Sequence, residues 1–392
     1  MLIERHLPER PSGRCIVVGA GKASAAMARA VELAWPGVDM RGIVATPHGH
    51  AADCHKIRII EAGHPVPDAA SMAAAQQMIA MLDSAGPGDL VLALISGGGS
   101  ATLALPAEGL TLADKQSVTA ALLRSGAPIS DINCVRKAMS RVKGGRLARH
   151  AGLVGIRSLI ISDVPGDDPA DIASGPTVQD RRDGRSPLDI LRRHGIAVSP
   201  SVKAALLAEP ETRPEARPQD SYAIIASPAV ALAAAADVAR SAGYEVVNLG
   251  DRIEGEAAGI VQNHAAKAAA LARQGTPFAV ISGGETTVTL PGGCDAKGGR
   301  NTEYQLALAI ALHGHADVWS LAGDSDGIDG FSDAAGAIVT PDSLLRASAA
   351  GLDPQALLKT HRSHDFFAKL DDLVKTGPTL TNVNDIRIQL IG

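Results

Sequence analysis

Aromatic residues are nearly missing from this sequence: Phe, Trp and Tyr together make up 2% of its 392 residues. Proteins that hold single-stranded nucleic acid do so largely on stacked rings, so that class is excluded. A basic excess is missing too. Lys and Arg number 37 against 42 Asp and Glu, for a net charge of −5, and such a chain lacks the positive field that a phosphate backbone requires. Cysteine is scarce, and the four present (Cys15, Cys54, Cys134 and Cys294) follow no disulfide or zinc spacing. Reduced thiols in a cytoplasm are the expectation. No apolar run reaches membrane-spanning length, and the opening "MLIERHLPERP" has no signal-peptide core. Neither H-E-x-x-H nor C-x-x-C occurs, which removes two metal and redox classes.

What is present is an α/β pattern. Hydrophobic residues make up 46% of the chain, and short β-branched runs alternate with longer Ala- and Leu-rich stretches of helical period. Strands are expected at 14–19, 42–46, 57–63, 89–96 and 158–164, and helices at 22–35, 68–83, 111–126 and 132–150. The segment 208–220, "AEPETRPEARPQD", is rich in proline and charge and has no periodicity, so a domain boundary belongs there. It divides the chain into 1–215 and 216–392. A second series follows, with strands at 222–227, 244–250, 277–284, 286–290, 318–323 and 386–391 and helices at 229–242, 254–274 and 302–313.

Three glycine-rich turns end strands. The first, Gly19-Ala20-Gly21-Lys22-Ala23-Ser24, can bring backbone N–H groups to an anion. A dinucleotide fingerprint wants a third glycine where Ser24 stands and an acid at the end of the second strand, and both are lacking. The spacing of a phosphate-binding P-loop is absent as well. The other two turns are Ser96-Gly97-Gly98-Gly99-Ser100 and Ser282-Gly283-Gly284-Glu285. Ligands of open α/β sheets sit beyond the carboxyl ends of strands, so these turns are expected to hold an oxyanion or polyphosphate in a cleft between the domains.

Charged groups gather in four places. Residues 292–305 form a glycine-rich loop with Lys297 and Arg300 running into a helix that carries Asn301 and Glu303, a setting suited to carboxylate or phosphate. Around 132–148, helical spacing places Arg136, Ser140 and Lys143 on one face, near Asn133, as a second anion contact. The acids Asp163, Asp167 and Asp168 follow one strand, and Asp324, Asp326, Asp329 and Asp333 follow another. Such carboxylates suit Mg²⁺ or a substrate hydroxyl proton, with Asp163, Asp326 and Asp329 as the metal candidates. The histidines around 48–64 fit no zinc pattern, and His64 is expected in a loop.

Taken together, "VVGAGKAS", "EAGHPVPD", "LISGGGSA", "SDVPGDDPADIASGPT", "ISGGETTVT", "KGGRNTEYQLALA", "DGIDG" and "TGPTLTNVNDI" resemble the glycerate 2-kinase family with a C-terminal MOFRL domain, across nearly the whole chain. The resemblance implies a Rossmann-like, mainly parallel N-terminal sheet with helices on both faces, and a smaller α/β domain with a mixed sheet. It implies transfer of a phosphoryl group from ATP, with Mg²⁺, to the 2-hydroxyl of D-glycerate between the two domains. The motif lysine matches Lys22 and the motif arginine matches Arg300, both expected to act on the transferred phosphoryl group or the substrate carboxylate. Gly19, Gly21, the 96–100 turn, Gly284 and Glu285 would contact substrate or nucleotide. The expected partners are D-glycerate and ATP, with no nucleic acid and no membrane, and a homodimer is compatible with the chain. Compared with the family, this chain begins almost at its first strand, which raises the expectation of an incomplete N-terminus. The rival readings are an NAD(P)H-dependent hydroxypyruvate reductase, a name often given to the family, and a non-catalytic sugar-acid-binding module.

Overall fold

The computed structural model describes residues 2–179, 184–208, 220–290, 296–315 and 317–392. Two compact units emerge, Met1–Ile225 and Ala226–Gly392.

The first unit is built on β1 (Cys15–Ala20), β2 (Met40–Pro47), β3 (Ile57–Ala62), β4 (Leu90–Ser96), β5 (Arg157–Ile161) and β6 (Ser221–Ala226). Their order in the sheet is β3-β2-β1-β4-β5-β6, parallel from β3 through β5. Every residue of β1 is buried, as both-face coverage of a parallel strand demands. Ile16, Val18 and Ala20 face the helix α2 (Ala69–Leu82), which follows α1 (Ser24–Ala34), and share a core with Ala74, Met78 and Leu82. Asp68 starts α2 through a capping box: its carboxylate accepts the Ser71 N–H, and the Ser71 hydroxyl accepts the Asp68 N–H.

Glu32 fastens α1 to the sheet. Its buried carboxylate accepts N–H bonds from His55, Lys56 and Ile57 at 2.7–3.1 Å, just where β3 begins. Burial works to raise its pKa, and the three N–H donors outweigh it, leaving the carboxyl below its ordinary range. Because the folded pKa is depressed, this contribution to stability is present at neutral pH and is lost as pH falls through the folded pKa. Glu32→Ala is expected to cost about 3 kcal/mol in urea unfolding, since three donors lose their acceptor. Glu32→Gln should cost less and flatten the acid limb. A wild-type denaturation midpoint in Glu32→Ala would show that water replaces the carboxylate.

A helical addition is built from segments after β4 and after β5. It comprises α3 (Gly99–Thr102), α4 (Leu112–Arg124), α5 (Ile129–Ala138), α6 (Arg146–Arg149), α7 (Pro187–Arg193) and α8 (Pro200–Leu207). Val118, Leu122, Ile132, Val135, Ile190 and Val202 form its own core. The single helix expected over 132–150 is divided. Helix α5 stops at Ala138, Gly144 and Gly145 take left-handed φ of 60° and 79°, and only then does α6 start. Two successive left-handed residues cannot continue a right-handed helix. Arg136, Ser140 and Lys143 therefore do not share a helix face.

The strand at 221–226 also departs from expectation. It lies at the edge of the first sheet, beside β5, and does not open the second series. The expected linker falls mostly at 209–219, outside the described residues.

The second unit contains β7 (Glu245–Asn248), β8 (Gly255–Glu256), β9 (Phe278–Gly284), β10 (Thr286–Thr287), β11 (Val318–Asp324), β12 (Gly336–Val339), β13 (Leu373–Val374) and β14 (Asp385–Ile391). Its main sheet runs β13-β12-β11-β14-β9-β7. Strand β14 is antiparallel to both β9 and β11, whereas β7 and β9 are parallel, so the sheet is mixed. The last strand of the chain thus lies inside the sheet. Helices α10 (Ala257–Ala272) and α11 (Arg300–Leu312), numbered after α9 (Pro228–Ser241), share one core with the sheet. Helix α9 packs through Leu232 and Ala236 against Ala279 and Ile281. Short helices α12 (Ser343–Ala349), α13 (Pro354–Lys359) and α14 (Ser363–Leu370) bury Phe366 and Phe367 against α11 and β12. Among the described residues no helix is long and apolar enough to cross a membrane.

Candidate functional site

In the order β3-β2-β1-β4-β5-β6 the direction of winding reverses between β1 and β4, and beyond the carboxyl ends of two such strands the fold leaves a crevice for a ligand. The glycine turns of 19–24 and 96–100 meet there. The Lys22 N–H donates to the Gly97 carbonyl at 2.8 Å, and the Ala23 N–H donates to Ser96 Oγ at 3.0 Å. Gly21, at φ +128°, has no room for a side chain, because a Cβ would stand 2.3 Å from Ser96 Oγ. Gly19 is closed in the same way by the Leu94 carbonyl. These two glycines therefore serve strand and turn packing.

At Gly97 and Gly98 side chains of functional type close in. A Cβ on Gly97 would collide with the Asp163 carboxylate, and one on Gly98 would lie 3.2 Å from Lys22 Cγ and 3.3 Å from His64 Nε2. The stem of a lysine, an imidazole and a carboxylate thus converge on one bare stretch of backbone. Ser100 Oγ bonds Ser174 Oγ at 2.7 Å. The Ser174 segment is itself unusual, with Ala173, Ser174 and Gly175 at φ of 53°, 62° and 58°. Left-handed alanine and serine each cost about 1–2 kcal/mol and persist where the surroundings over-determine them. Here Gly144 and Gly145 donate N–H bonds to the Ser174 and Gly175 carbonyls at 3.0 and 2.7 Å.

Next to this turn lies a cavity of about 260 Å³, whose walls include His64, Gly98, Ser100, Asp163, Lys115 and Arg136. Lys143 is fully buried, and its Nζ donates to the Ser100 and Leu103 carbonyls at 2.8 and 3.1 Å. Burial, then the nearby Lys115 and Arg136 charges, push its pKa well down. Lys143 supports the turn from beneath and is not among the cavity's lining residues.

In the second unit the site residues gather around Arg300, the first residue of α11. Its Nε donates to both oxygens of Asp385 at 3.0 and 2.8 Å, one Nη to Asp324 at 2.8 Å and the other to Glu285 at 3.1 Å. Asp385 is a hub, also accepting from Asn301 Nδ2 at 2.8 Å and Arg387 Nη2 at 2.9 Å. Burial, then the charges of Asp385 and Asp326, raise the Asp324 carboxyl to about 8 against the opposing pull of Arg300. The neighbourhood carries more acid than base, the reverse of the free anion clamp expected of Arg300.

Other expected site residues find different work. Asp329 accepts N–H bonds from Asn301 and Thr302 at 2.9 and 2.8 Å, together with the Asn301 amide and the Thr302 hydroxyl. These bonds engage both of its oxygens and make it the N-terminal anchor of α11. Glu303 bonds His361 Nδ1 at 3.0 Å. Lys297 is exposed. The Gly283 N–H is taken by the Gly250 carbonyl at 2.9 Å, and Ile253 backbone fills the side-chain space of Gly284, so the 282–285 turn packs inward where an anion cradle was expected. Asp326 is buried and accepts the Ile328 N–H at 2.8 Å. Among the described residues no three His, Cys, Asp or Glu side chains are grouped to hold a metal. Residues 323–327 spell G-x-S-x-G, but β11 ends there in a turn with no following helix, and Ser325 Oγ accepts the Val383 N–H at 2.8 Å. The nucleophile elbow of serine hydrolases is absent at this place.

Two participants were not legible as such. Lys115 sits in a helix with an ordinary polar pattern, and Asp385 was one letter of a longer motif.

The fold and site define a two-unit α/β protein with glycine turns at a sheet switch point and an arginine–carboxylate hub. The family described as "Domain of unknown function (DUF4147)" matches residues 2–207, and the MOFRL family matches residues 278–385. A relative from Agrobacterium vitis, provisionally named a hydroxypyruvate reductase, is 52% identical over 100% of this chain and 90% of its own. A glycerate 2-kinase from Pyrococcus horikoshii is 38% identical over 97% of this chain and 88% of its own. A crystal structure of glycerate kinase from Thermotoga maritima superposes with a TM-score of 0.89 at 36% identity, covering 100% of this chain and 93% of that one. The chain belongs to the glycerate 2-kinase family that carries a MOFRL domain.

Proposed function

We propose that this chain is a cytoplasmic, ATP-dependent glycerate 2-kinase. The observation that carries the reading is the convergence of Lys22, His64 and Asp163 on the bare Gly97–Gly98 backbone at the β1/β4 switch point, in a chain matching glycerate kinases over its whole length. Phosphoryl transfer needs positioning and charge stabilisation more than covalent chemistry. In the proposed step the 2-hydroxyl oxygen of D-glycerate attacks the γ-phosphorus, its proton passes to Asp163, and the bond to the β–γ bridging oxygen breaks to release ADP. The Lys22 ammonium offsets charge on the transferred oxygens. Mg²⁺ brought in with ATP would neutralise phosphate charge, and Asp326, one of the acids the sequence offers for a metal, would be a carboxylate to hold it.

The reductase reading is disfavoured by the same turn. Ser24 stands where a dinucleotide loop needs its third glycine, and its buried hydroxyl donates to the Leu94 carbonyl at 2.8 Å. At the end of β2, Thr46 donates to the Gly21 carbonyl at 3.1 Å, and no acid waits there for a ribose. The test follows ADP release from MgATP with D-glycerate beside NADH and NADPH oxidation with hydroxypyruvate. The proposal expects the first alone, and nicotinamide oxidation with no ADP release overturns it.

A further inference from the structure

The cavity beside the Gly97–Gly98 turn is lined by both cations and acids. Lys115 from α4 and Arg136 and Asn133 from α5 line it as neighbours, Lys115 Nζ on the Arg136 carbonyl and Arg136 on Asn133 Oδ1, and Asp163 lines it as well. Asp171 is another lining acid, held by Lys137 Nζ at 3.4 Å and Asn133 Nδ2 at 3.3 Å. Lys115 is 3% exposed, and its Nζ donates only to backbone, to the Arg136 carbonyl at 3.1 Å and the Met139 carbonyl at 3.5 Å. Arg136 donates to Asn133 Oδ1 at 3.3 Å. Among the described residues neither cation has a carboxylate partner, although an unpaired buried charge is costly.

We propose that the carboxylate of the hydroxy-acid substrate binds at Lys115 and Arg136 in this cavity, and that Lys115 takes up a proton from solvent as the acid binds. The inference rests on the kinase reading and names how its acid is held. With the carboxylate drawn to the two cations, the substrate hydroxyl is left toward Asp163, against the Gly97 backbone. A volume of about 260 Å³ lies below the roughly 300–1,000 Å³ of pockets for larger ligands and suits a three-carbon acid rather than a nucleotide.

The proton follows from the surroundings of Lys115. Burial first, then the charges of Arg136 and Arg146, lower its pKa to about 7. Lys143, its own pKa pushed well down, is a further neighbour, while His64, Asp163 and Asp171 line the same cavity. Arg136 remains charged throughout and cannot supply the effect. A bound carboxylate favours the ammonium form, so above pH 7 binding must bring a proton with it.

Isothermal titration with D-glycerate at pH 8, in buffers of different ionisation enthalpy, reads that proton directly. From a free pKa of about 7, the expected uptake is roughly 0.9 proton at pH 8 and about 0.1 at pH 6, and Kd rises about eightfold from pH 7.5 to 8.5. Lys115→Met should abolish the uptake and raise KM for the acid at least tenfold with KM for MgATP unchanged. Lys115→Arg should retain binding without the proton. If either variant fails to fold, the wild-type uptake and pH dependence still decide the matter. Uptake that accompanies MgADP rather than D-glycerate overturns the assignment to the carboxylate, as does D-glycerate binding with no proton or no binding at all. Turnover on the same preparation separates the two claims. With phosphorylation intact and no proton taken up, this inference falls alone; with no phosphorylation, the kinase reading falls, and the titration still judges the site.

Discussion

Lys22→Ala is expected to lower kcat about 10²–10³-fold, the loss typical when one preorganised stabiliser of developing charge is removed. Thermal unfolding should stay near that of the wild type. The turn is held through backbone donors, the Lys22 N–H on the Gly97 carbonyl and the Ala23 N–H on Ser96 Oγ, and alanine retains both. KM for D-glycerate should change little, because the proposed carboxylate contacts lie at Lys115 and Arg136. Lys22→Arg restores a positive charge with different reach and should recover part of the rate. Near-normal turnover in Lys22→Ala would remove this residue from the chemistry and leave the glycine turns as packing devices.

Asp385→Ala should have the largest effect on stability, about 3–5 kcal/mol, because it removes one partner of a buried ion network. Asp385 is 1% exposed and joins Arg300, Asn301 and Arg387. Arg387 is equally buried, and its remaining bonds go to the Gly283 and Gly284 carbonyls and the Thr286 hydroxyl, over the face of Tyr304. Without Asp385 its charge has no carboxylate. Hydrogen exchange of the peptides covering β14 and β11 localises the loss, since these strands pair along their whole length. Asp385→Asn keeps shape and some hydrogen bonding and should fall between. In that variant Asp324 loses one of the charges that hold it near 8 and should ionise at lower pH. Unchanged protection in Asp385→Ala would mean that the network contributes order without stability.

Local signals were strong for the parts of the fold that are locally determined. The β-branched runs of β1, β4 and β9 lie close to where the sequence pattern puts them, as does α2. The glycine turns were legible because the fold itself needs glycine there: no other residue fits where Gly21 meets Ser96 or where Gly97 meets Asp163. What was not legible depends on distant partners. The composition of 132–150 is helical, but left-handed Gly144 and Gly145 and a bridge from Ser140 to Pro106 interrupt it. Nothing in the pattern of 111–126 marks Lys115, which α5 covers, with its Nζ on the Arg136 carbonyl. Asp385 is one letter of a longer motif, and its role shows only once β14 is seen between β9 and β11. The region 336–374, with a four-residue strand and helices of six to eight residues, offers too few turns for a clear period.

The measurement that bears most directly on the central claim is the ³¹P spectrum of the product formed from MgATP and D-glycerate. Phosphate on the secondary carbon couples to one proton and gives a doublet, whereas phosphate on the primary carbon couples to two and gives a triplet. The account predicts ADP and a doublet, 2-phosphoglycerate. A triplet would place the wrong hydroxyl against Asp163, and an absence of any phosphorylated acid would contradict the kinase itself.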